Sequence, residues 1–284
     1  MGLMGEFRAL ASYAQRHPIG ARAPFGTCAR FLSWQLRSRL RPGAHDMPWV
    51  NGARLRVRRG MHGATGNLYF GLQEFAEMGF VAHLLRPGDV FADVGANVGS
   101  YTVLAAKVCG AIVHAFEPAA ETLPALHENV ALNGIGDQVT IHPVALGASE
   151  GQVTFTRGSD AMNKIADGAG ATVPMRRLDD LLPVAPLAIK VDVEGGEPAM
   201  IAGAARTLAD PALQAIEIET LDASVRRAIE EAGLSQRWYD PLTRALSAAP
   251  TALPVHNHLF VRDAAFVEER LRAAPPIRVA GQTI

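Results

Sequence analysis

The chain has 284 residues, 49% of them hydrophobic, and a formal net charge of −1 at pH 7. That is enough apolar material for one sizeable core, and so near-neutral a balance gives no general attraction to nucleic acid. Cys28 and Cys109 lack metal-site spacing, which points to a reducing compartment, and no membrane-spanning run, signal peptide or lipidation box is legible, so a cytoplasmic location is expected.

Residues 1–60 read as a basic extension of helices and a short hairpin, ahead of a main domain over 61–284. Eleven arginines from Arg8 to Arg59 are opposed only by Glu6 and Asp46. One reading is a pair of solvated helices packed on the main domain, with Phe25, Phe31, Leu32, Trp34 and Leu36 as the packing face. The other is contact with an anionic partner, such as a membrane surface or a phosphorylated carrier. Pro42, Gly43 and Pro48 break the helical pattern, and Asn51-Gly52 signals a hairpin turn between Trp49-Val50 and Leu55-Arg56-Val57.

Strand and helix then alternate. The pattern predicts a helix over 68–85, a strand over 90–94, a helix over 100–108, a strand over 111–116 and a helix over 119–133. Strands follow at 139–143, 153–156, 187–193 and 213–219, with a helix over 197–208. A strand at 259–261 closes the sheet before a charged C-terminal helix containing Glu268 to Arg272. Such alternation implies an α/β fold, a doubly wound, mostly parallel sheet with helices on both faces, whose ligands bind at the carboxyl ends of the strands.

The segment from Val90 to Tyr101 is a buried strand running into a glycine-bounded turn and a helix N-terminus, which suits a nucleotide-like cofactor. A dinucleotide fingerprint has a glycine where Asn97 stands, which argues against NAD. The turn instead offers Asp93 to a cationic amine and Asn97 to a polar carboxylate or amide, demands that suit S-adenosylmethionine. Glu117 ends the next strand about twenty positions on, where a carboxylate can accept from both ribose hydroxyls. Val144-Ala145-Leu146-Gly147 is small and apolar enough to lie against adenine. Asn129 and Asn133 read as structural, with Asn133-Gly134 a helix stop.

Five blocks occur in order: Asp93 to Tyr101, Phe116-Glu117-Pro118, Asn129 to Gly134, Val144 to Gly147, and Ile189-Lys190-Val191-Asp192-Val193-Glu194-Gly195-Gly196-Glu197. In this the chain resembles the FkbM-type S-adenosylmethionine-dependent methyltransferases from about Gly66 to Val261. The resemblance implies a class I, seven-stranded sheet and transfer to hydroxyl oxygens of polyketides or of sugars in surface polysaccharides. Laid onto these blocks, the cofactor contacts fall on Asp93, Gly95, Asn97, Gly99, Tyr101, Glu117, Pro118 and Ala145. It says nothing about residues 1–60.

Along the last block, alternation puts Lys190, Asp192 and Glu194 on one side of a strand. Either Lys190 neutralises Asp192 while Glu194 and Glu197 start the next helix, or the carboxylates face the methyl group. An alcohol needs a base within hydrogen-bond reach. Asp192 and Glu194 come first, then Glu219, then His256 and His258, which flank one position and are expected to put both rings on the same side of a strand. A divalent metal on Asp192, Glu219 and a histidine is the alternative, but no dense ligand motif supports it, and no metal is predicted.

The segment Arg157 to Lys164, the segment Tyr239 to Leu242 and the helix around Glu74 are candidate acceptor walls, and their polarity favours a sugar hydroxyl over an apolar small molecule. Two other classes stay open: an NAD-dependent oxidoreductase on the same sheet, and a non-catalytic glycan- or carrier-binding module. The intact cofactor residues weigh against the second.

Overall fold

The computed structural model describes residues 3–155, 171–193 and 195–284. Helices α1 (Leu3–Arg16), α2 (Pro18–Arg22) and α3 (Pro24–Leu40) lead into a hairpin of β1 (His45–Pro48) and β2 (Arg54–Val57), and then into α4 (His62–Phe70) and α5 (Phe75–Leu84). The His17 ring starts α2 by accepting from the backbone N–H groups of Ile19 and Gly20, with Pro18 in the first turn.

The alternating unit runs through β3 (Val90–Val94), α6 (Ser100–Val103), β4 (Ile112–Phe116), α7 (Leu123–Asn133) and β5 (Val139–His142). It continues with β6 (Ala145–Leu146), β7 (Gly151–Phe155), β8 (Ala171–Arg176), α8 (Leu178–Leu181), β9 (Ala188–Val191), α9 (Glu197–Ala202) and α10 (Ala205–Ala209). The last part is β10 (Ala215–Ile218), α11 (Ala223–Glu231), β11 (Ser235–Asp240), β12 (Ala245–Ser247), β13 (His258–Val261) and α12 (Ala264–Arg272). Eight strands form the central sheet in the order β12-β11-β13-β10-β9-β3-β4-β5. From β5 to β10 the pairing is parallel, and β13 enters antiparallel between β10 and β11. Seven of these strands make the doubly wound sheet expected; β12 is an antiparallel addition at its edge. Strands β6, β8 and β7 form a small separate sheet.

Several expected boundaries change. The single helix over 68–85 is two, because Gly71 takes a left-handed φ of +81° and the Asn67 side chain accepts the Gln73 N–H in place of a helical carbonyl. Every residue of α5 is buried, as befits a helix that is apolar nearly all round. The helix over 197–208 is also interrupted, between α9 and α10. Strand β13 does not close the sheet: β11 and β12, which the pattern missed, lie outside it.

The N-terminal helices share one apolar cluster with the sheet domain: Ile19, Phe31, Trp34, Leu55 and Val57 pack in the same core as Phe70, Phe80 and Leu104. Polar contacts reinforce this. Asn129 Oδ1 accepts the Arg56 N–H at 2.7 Å and Asn133 Oδ1 the Arg54 N–H at 2.8 Å, so two buried amides of α7 serve as partners for the edge of β2. The expected packing face of α3 is corrected: Phe31 and Trp34 are buried, whereas Phe25, Leu32 and Leu36 are exposed, since at 3.6 residues per turn they fall on the opposite side. Among the described residues both cysteines are free, and no helix is long and apolar enough to cross a membrane.

Candidate active site

Parallel register aligns Asp93 on β3 with Lys190 on β9, and Lys190 with Glu217 on β10. Residues in register on adjacent strands share a face, so the middle of the sheet carries an acid, a base and an acid side by side. Lys190 is only 3% exposed. Burial works against its charge, but the carboxylates of Asp192, Glu74 and Asp93 outweigh it and hold its pKa above the usual lysine value. Its Nζ lies 2.7 Å from Asp192 Oδ2 and 4.9 Å from the centre of the Tyr101 ring.

The two acids beside Lys190 differ. Burial pushes the Asp93 carboxyl up, although Lys190 opposes the shift. Its Oδ2 accepts from the Thr102 hydroxyl at 2.6 Å, and its Oδ1 is buried without a partner. Glu217 is 2% exposed, with both carboxyl oxygens unpartnered. Burial, then the nearby Glu77 and Glu74, push its carboxyl well above the ordinary range. Just past the end of β9, Asp192 goes the other way: burial opposes its charge, but Lys190 and a side-chain hydrogen bond with Glu219 keep its carboxyl below the usual range.

A cleft of about 80 Å³ opens over Asp93 and Lys190, lined by Gly63, Gln73, Glu74, Asp93, Gly95, Asn97, Tyr101, Lys190 and Asp192 among others. Gly95 has a φ of +82°, and a Cβ there would stand 1.8 Å from the Asp192 carbonyl oxygen. Asn97 also takes a left-handed φ, +49°, a conformation asparagine tolerates better than most residues. Its side-chain oxygen accepts the Val98 N–H, and the side chain lies against Gly63, filling space that a glycine at this position would leave open. Gly99 caps α6 beneath the turn. Glu117 is buried beside it, and its two oxygens accept the N–H groups of Asn97 and Ala119, each at 2.8 Å. Burial raises its carboxyl. Pro118 follows, half-buried, on the way to α7.

The structure therefore brings together Asp93, Gly95, Asn97, Tyr101, Asp192 and, through its hydrogen bond, Glu219. It does not bring Ala145 to the cleft: that side chain packs with Val173 in the small sheet, because β6 leaves the central sheet immediately after β5. Glu194 and the segment 157–164 lie outside the described residues. The expectation that His256 and His258 share a side is corrected. His256 precedes β13, where its N–H donates to Glu77, while the His258 ring meets Gln236 at 3.2 Å. The residue between them turns inward instead: Asn257 is buried, and its Nδ2 donates to Glu74 Oε2 at 3.2 Å. That same oxygen accepts from the Tyr101 hydroxyl at 2.6 Å.

Asn257, Glu77 and Glu217 were not singled out in the sequence. For Glu217 the signal was an acid inside the apolar run Ile216-Glu217-Ile218, which a fully buried strand carries only for a reason. Among the described residues no group of three or more His, Cys, Asp or Glu side chains is placed to hold a metal ion.

A second cavity, about 810 Å³, lies between α1, α3 and α4, with Tyr13, Phe31, Trp34, Tyr69 and Phe70 among its walls and Arg16 and Arg59 beside them. Gln73 lines both cavities, and its carbonyl accepts from the Tyr13 hydroxyl at 2.7 Å.

The family model described as the methyltransferase FkbM domain matches residues 93–234. The curated 31-O-demethyl-FK506 methyltransferase FkbM of Streptomyces tacrolimicus is 35% identical over 94 residues, which cover 33% of this chain and 36% of that protein. Among solved structures, the methyltransferase FkbM of Methylobacillus flagellatus is similar at a TM-score of 0.43 and 18% identity, over 70% of this chain and 55% of that one. An S-adenosylmethionine-dependent O-methyltransferase of Thermotoga maritima is similar at a TM-score of 0.36 and 16% identity, over 65% and 63% of the two chains. The chain thus spans about a third of the curated relative and about half of the first of these structures.

Proposed function

The chain belongs to the FkbM methyltransferase family, and from that premise we propose that it transfers the methyl group of S-adenosylmethionine to a hydroxyl oxygen of an organic acceptor. The observation that carries this reading is Asp93 Oδ1, buried at the cleft and without a partner, in a row whose lysine is already engaged by Asp192. A partnerless buried carboxylate oxygen is costly, and the cationic amine of the methyl donor is a fitting partner for it. Glu117 is the second fit. Each of its oxygens has taken one backbone N–H, and a carboxylate oxygen has a further lone pair to offer a ribose hydroxyl. When bound, the donor supplies an electrophilic methyl group on a sulfonium.

The residues around that methyl group have separable tasks. Asp192, kept ionised by Lys190, takes the proton from the acceptor hydroxyl as the oxygen attacks. Tyr101, fixed by its hydrogen bond to Glu74, walls the cleft and keeps water from it. Asp192→Asn is expected to leave S-adenosylhomocysteine affinity within a few-fold and to lower turnover at least a hundredfold, the ordinary worth of a positioned base. Calorimetry and single-turnover transfer of labelled methyl check the two halves. Undiminished turnover would remove Asp192 from the role.

The acceptor enters, on this reading, through the 810 Å³ cavity, which shares the lining residue Gln73 with the donor cleft. Its aromatic walls favour a ring-bearing, largely apolar acceptor. A sugar hydroxyl, the acceptor expected from loop polarity, draws its main support from the composition of 157–164, outside the described residues. Assaying the purified chain with apolar polycyclic alcohols beside glycans decides between them: transfer to glycans alone sinks the apolar reading.

A further inference from the structure

Helix α3 has two apolar faces. The inner one, with Phe31 and Trp34, is buried on the domain; the outer one carries Phe25 at 90%, Leu32 at 53%, Leu36 at 62% and Leu40 at 71% exposure. Spacings of seven, four and four residues place these four on one stripe along the helix. Only four other large hydrophobic side chains are comparably exposed among the described residues, and they are scattered over Ile112, Val184, Val255 and Phe266. The concentration on one helix is therefore a feature of α3 and not of the surface at large.

The charge around the stripe has a single sign. Arg22, Arg37, Arg39 and Arg41 are exposed at its flanks and at the helix end, and no Asp or Glu occurs between Glu6 and Asp46. Among the described residues none of these four arginines pairs with a carboxylate. A helix with an apolar stripe bordered by arginines matches the interface of a bilayer with anionic headgroups: the stripe enters the acyl boundary and the guanidinium groups meet the phosphates. A second copy is a poorer occupant, because a two-fold contact would bring the same arginines of both copies face to face.

We propose that α3 docks this protein on an anionic membrane surface. The inner face of the same helix walls the second cavity through Phe31 and Trp34, so docking would set that cavity beside the bilayer. The proposal does not depend on the methyl-transfer reading, and its test needs neither donor nor acceptor.

The test is co-sedimentation of the full chain with vesicles of phosphatidylcholine alone and of phosphatidylcholine mixed with phosphatidylglycerol, at low and high salt. Binding is expected to the mixed vesicles and to weaken as salt rises. Leu32→Ser with Leu36→Ser should lower partitioning at least tenfold, and Arg37→Gln with Arg39→Gln about thirtyfold on the anionic vesicles, at roughly fivefold for each arginine. All four positions are exposed, so the variants should keep the wild-type circular dichroism spectrum. No sedimentation of the wild-type chain overturns the proposal. So does a wild-type dimer in gel filtration that Leu32→Ser with Leu36→Ser converts to monomer without any change in vesicle binding, which would assign the stripe to a second copy.

Discussion

Gly95→Ala is expected to abolish S-adenosylhomocysteine binding and to lower the unfolding free energy by about 3 kcal/mol, the sum of a left-handed backbone cost and an overpacking cost. The site leaves no room for the change: the residue sits at a φ of +82° with the Asp192 carbonyl 1.8 Å from where a Cβ would stand. That oxygen is backbone, so relief requires the β3 turn to move away from the end of β9, and with it Asp93 and Asn97 from the donor cleft. Gly134→Ala is the matched control. Gly134 has a φ of +62° but nothing within 4 Å of a built Cβ, so only the backbone cost of about 1 kcal/mol applies. Urea denaturation of both variants, with calorimetry on whichever folds, measures the difference. Equal destabilisation by the two would show that the close approach of the turn to Asp192 is not what holds the site.

Lys190→Met is expected to destabilise the chain by about 3–5 kcal/mol, the usual consequence of removing one partner of a buried ion pair. Asp192 loses its salt bridge and Asp93 and Glu74 lose a nearby cation, in a region where the Glu217 carboxyl oxygens already have no partner. Lys190→Met with Asp192→Asn should recover part of the loss, and the double-mutant cycle reads how much belongs to that pair. The pH dependence has a definite sign. The carboxyl of Asp192 is lowered in the fold, so its contribution is present above the unfolded carboxylate value near 4 and fades as pH falls through the folded value. The ammonium of Lys190 is raised, so its contribution is present below the unfolded lysine value near 10 and fades as pH rises through the folded one. The cost of Lys190→Met should therefore be largest and flat between about pH 4 and 10 and shrink outside that range. A loss under 1 kcal/mol at neutral pH would mean that water reaches Lys190.

What could be read from the chain was local, and what could not depended on distant partners. The β3 turn, Glu117 and the Lys190-Asp192 pair are each set by a few consecutive residues whose spacing fixes their geometry; the turn meets the pair where β3 and β9 run side by side, and Glu117 reaches the turn from the end of β4. Lys190 neutralises Asp192, the first of its two readings, and the pair lines the cleft. Glu74 reached the site because the helix expected over 68–85 breaks at Gly71, where the glycine takes a positive φ and the Asn67 side chain accepts the Gln73 N–H. Asn257 displaced its two histidine neighbours because strand β13 begins only at His258, so alternation along a strand did not apply to His256. Strands β11 and β12 were missed because Ser235-Gln236-Arg237-Trp238 at a sheet edge carries no period-two apolar pattern. The apolar residues of α3 were legible as a set, but their division into a buried and an exposed face follows from the docking of Phe31 and Trp34.

Whether the cleft over Asp93 and Lys190 holds a methyl donor is read by a calorimetric titration of the full chain with S-adenosylhomocysteine beside the isosteric variant Asp93→Asn. Binding is expected at one site, with no comparable heat from NADH, and with at least a tenfold loss of affinity in a variant that still folds, because an amide carries no negative charge to meet the cationic amine. A folded wild-type chain that ignores S-adenosylhomocysteine, or binds NADH in its place, would contradict it.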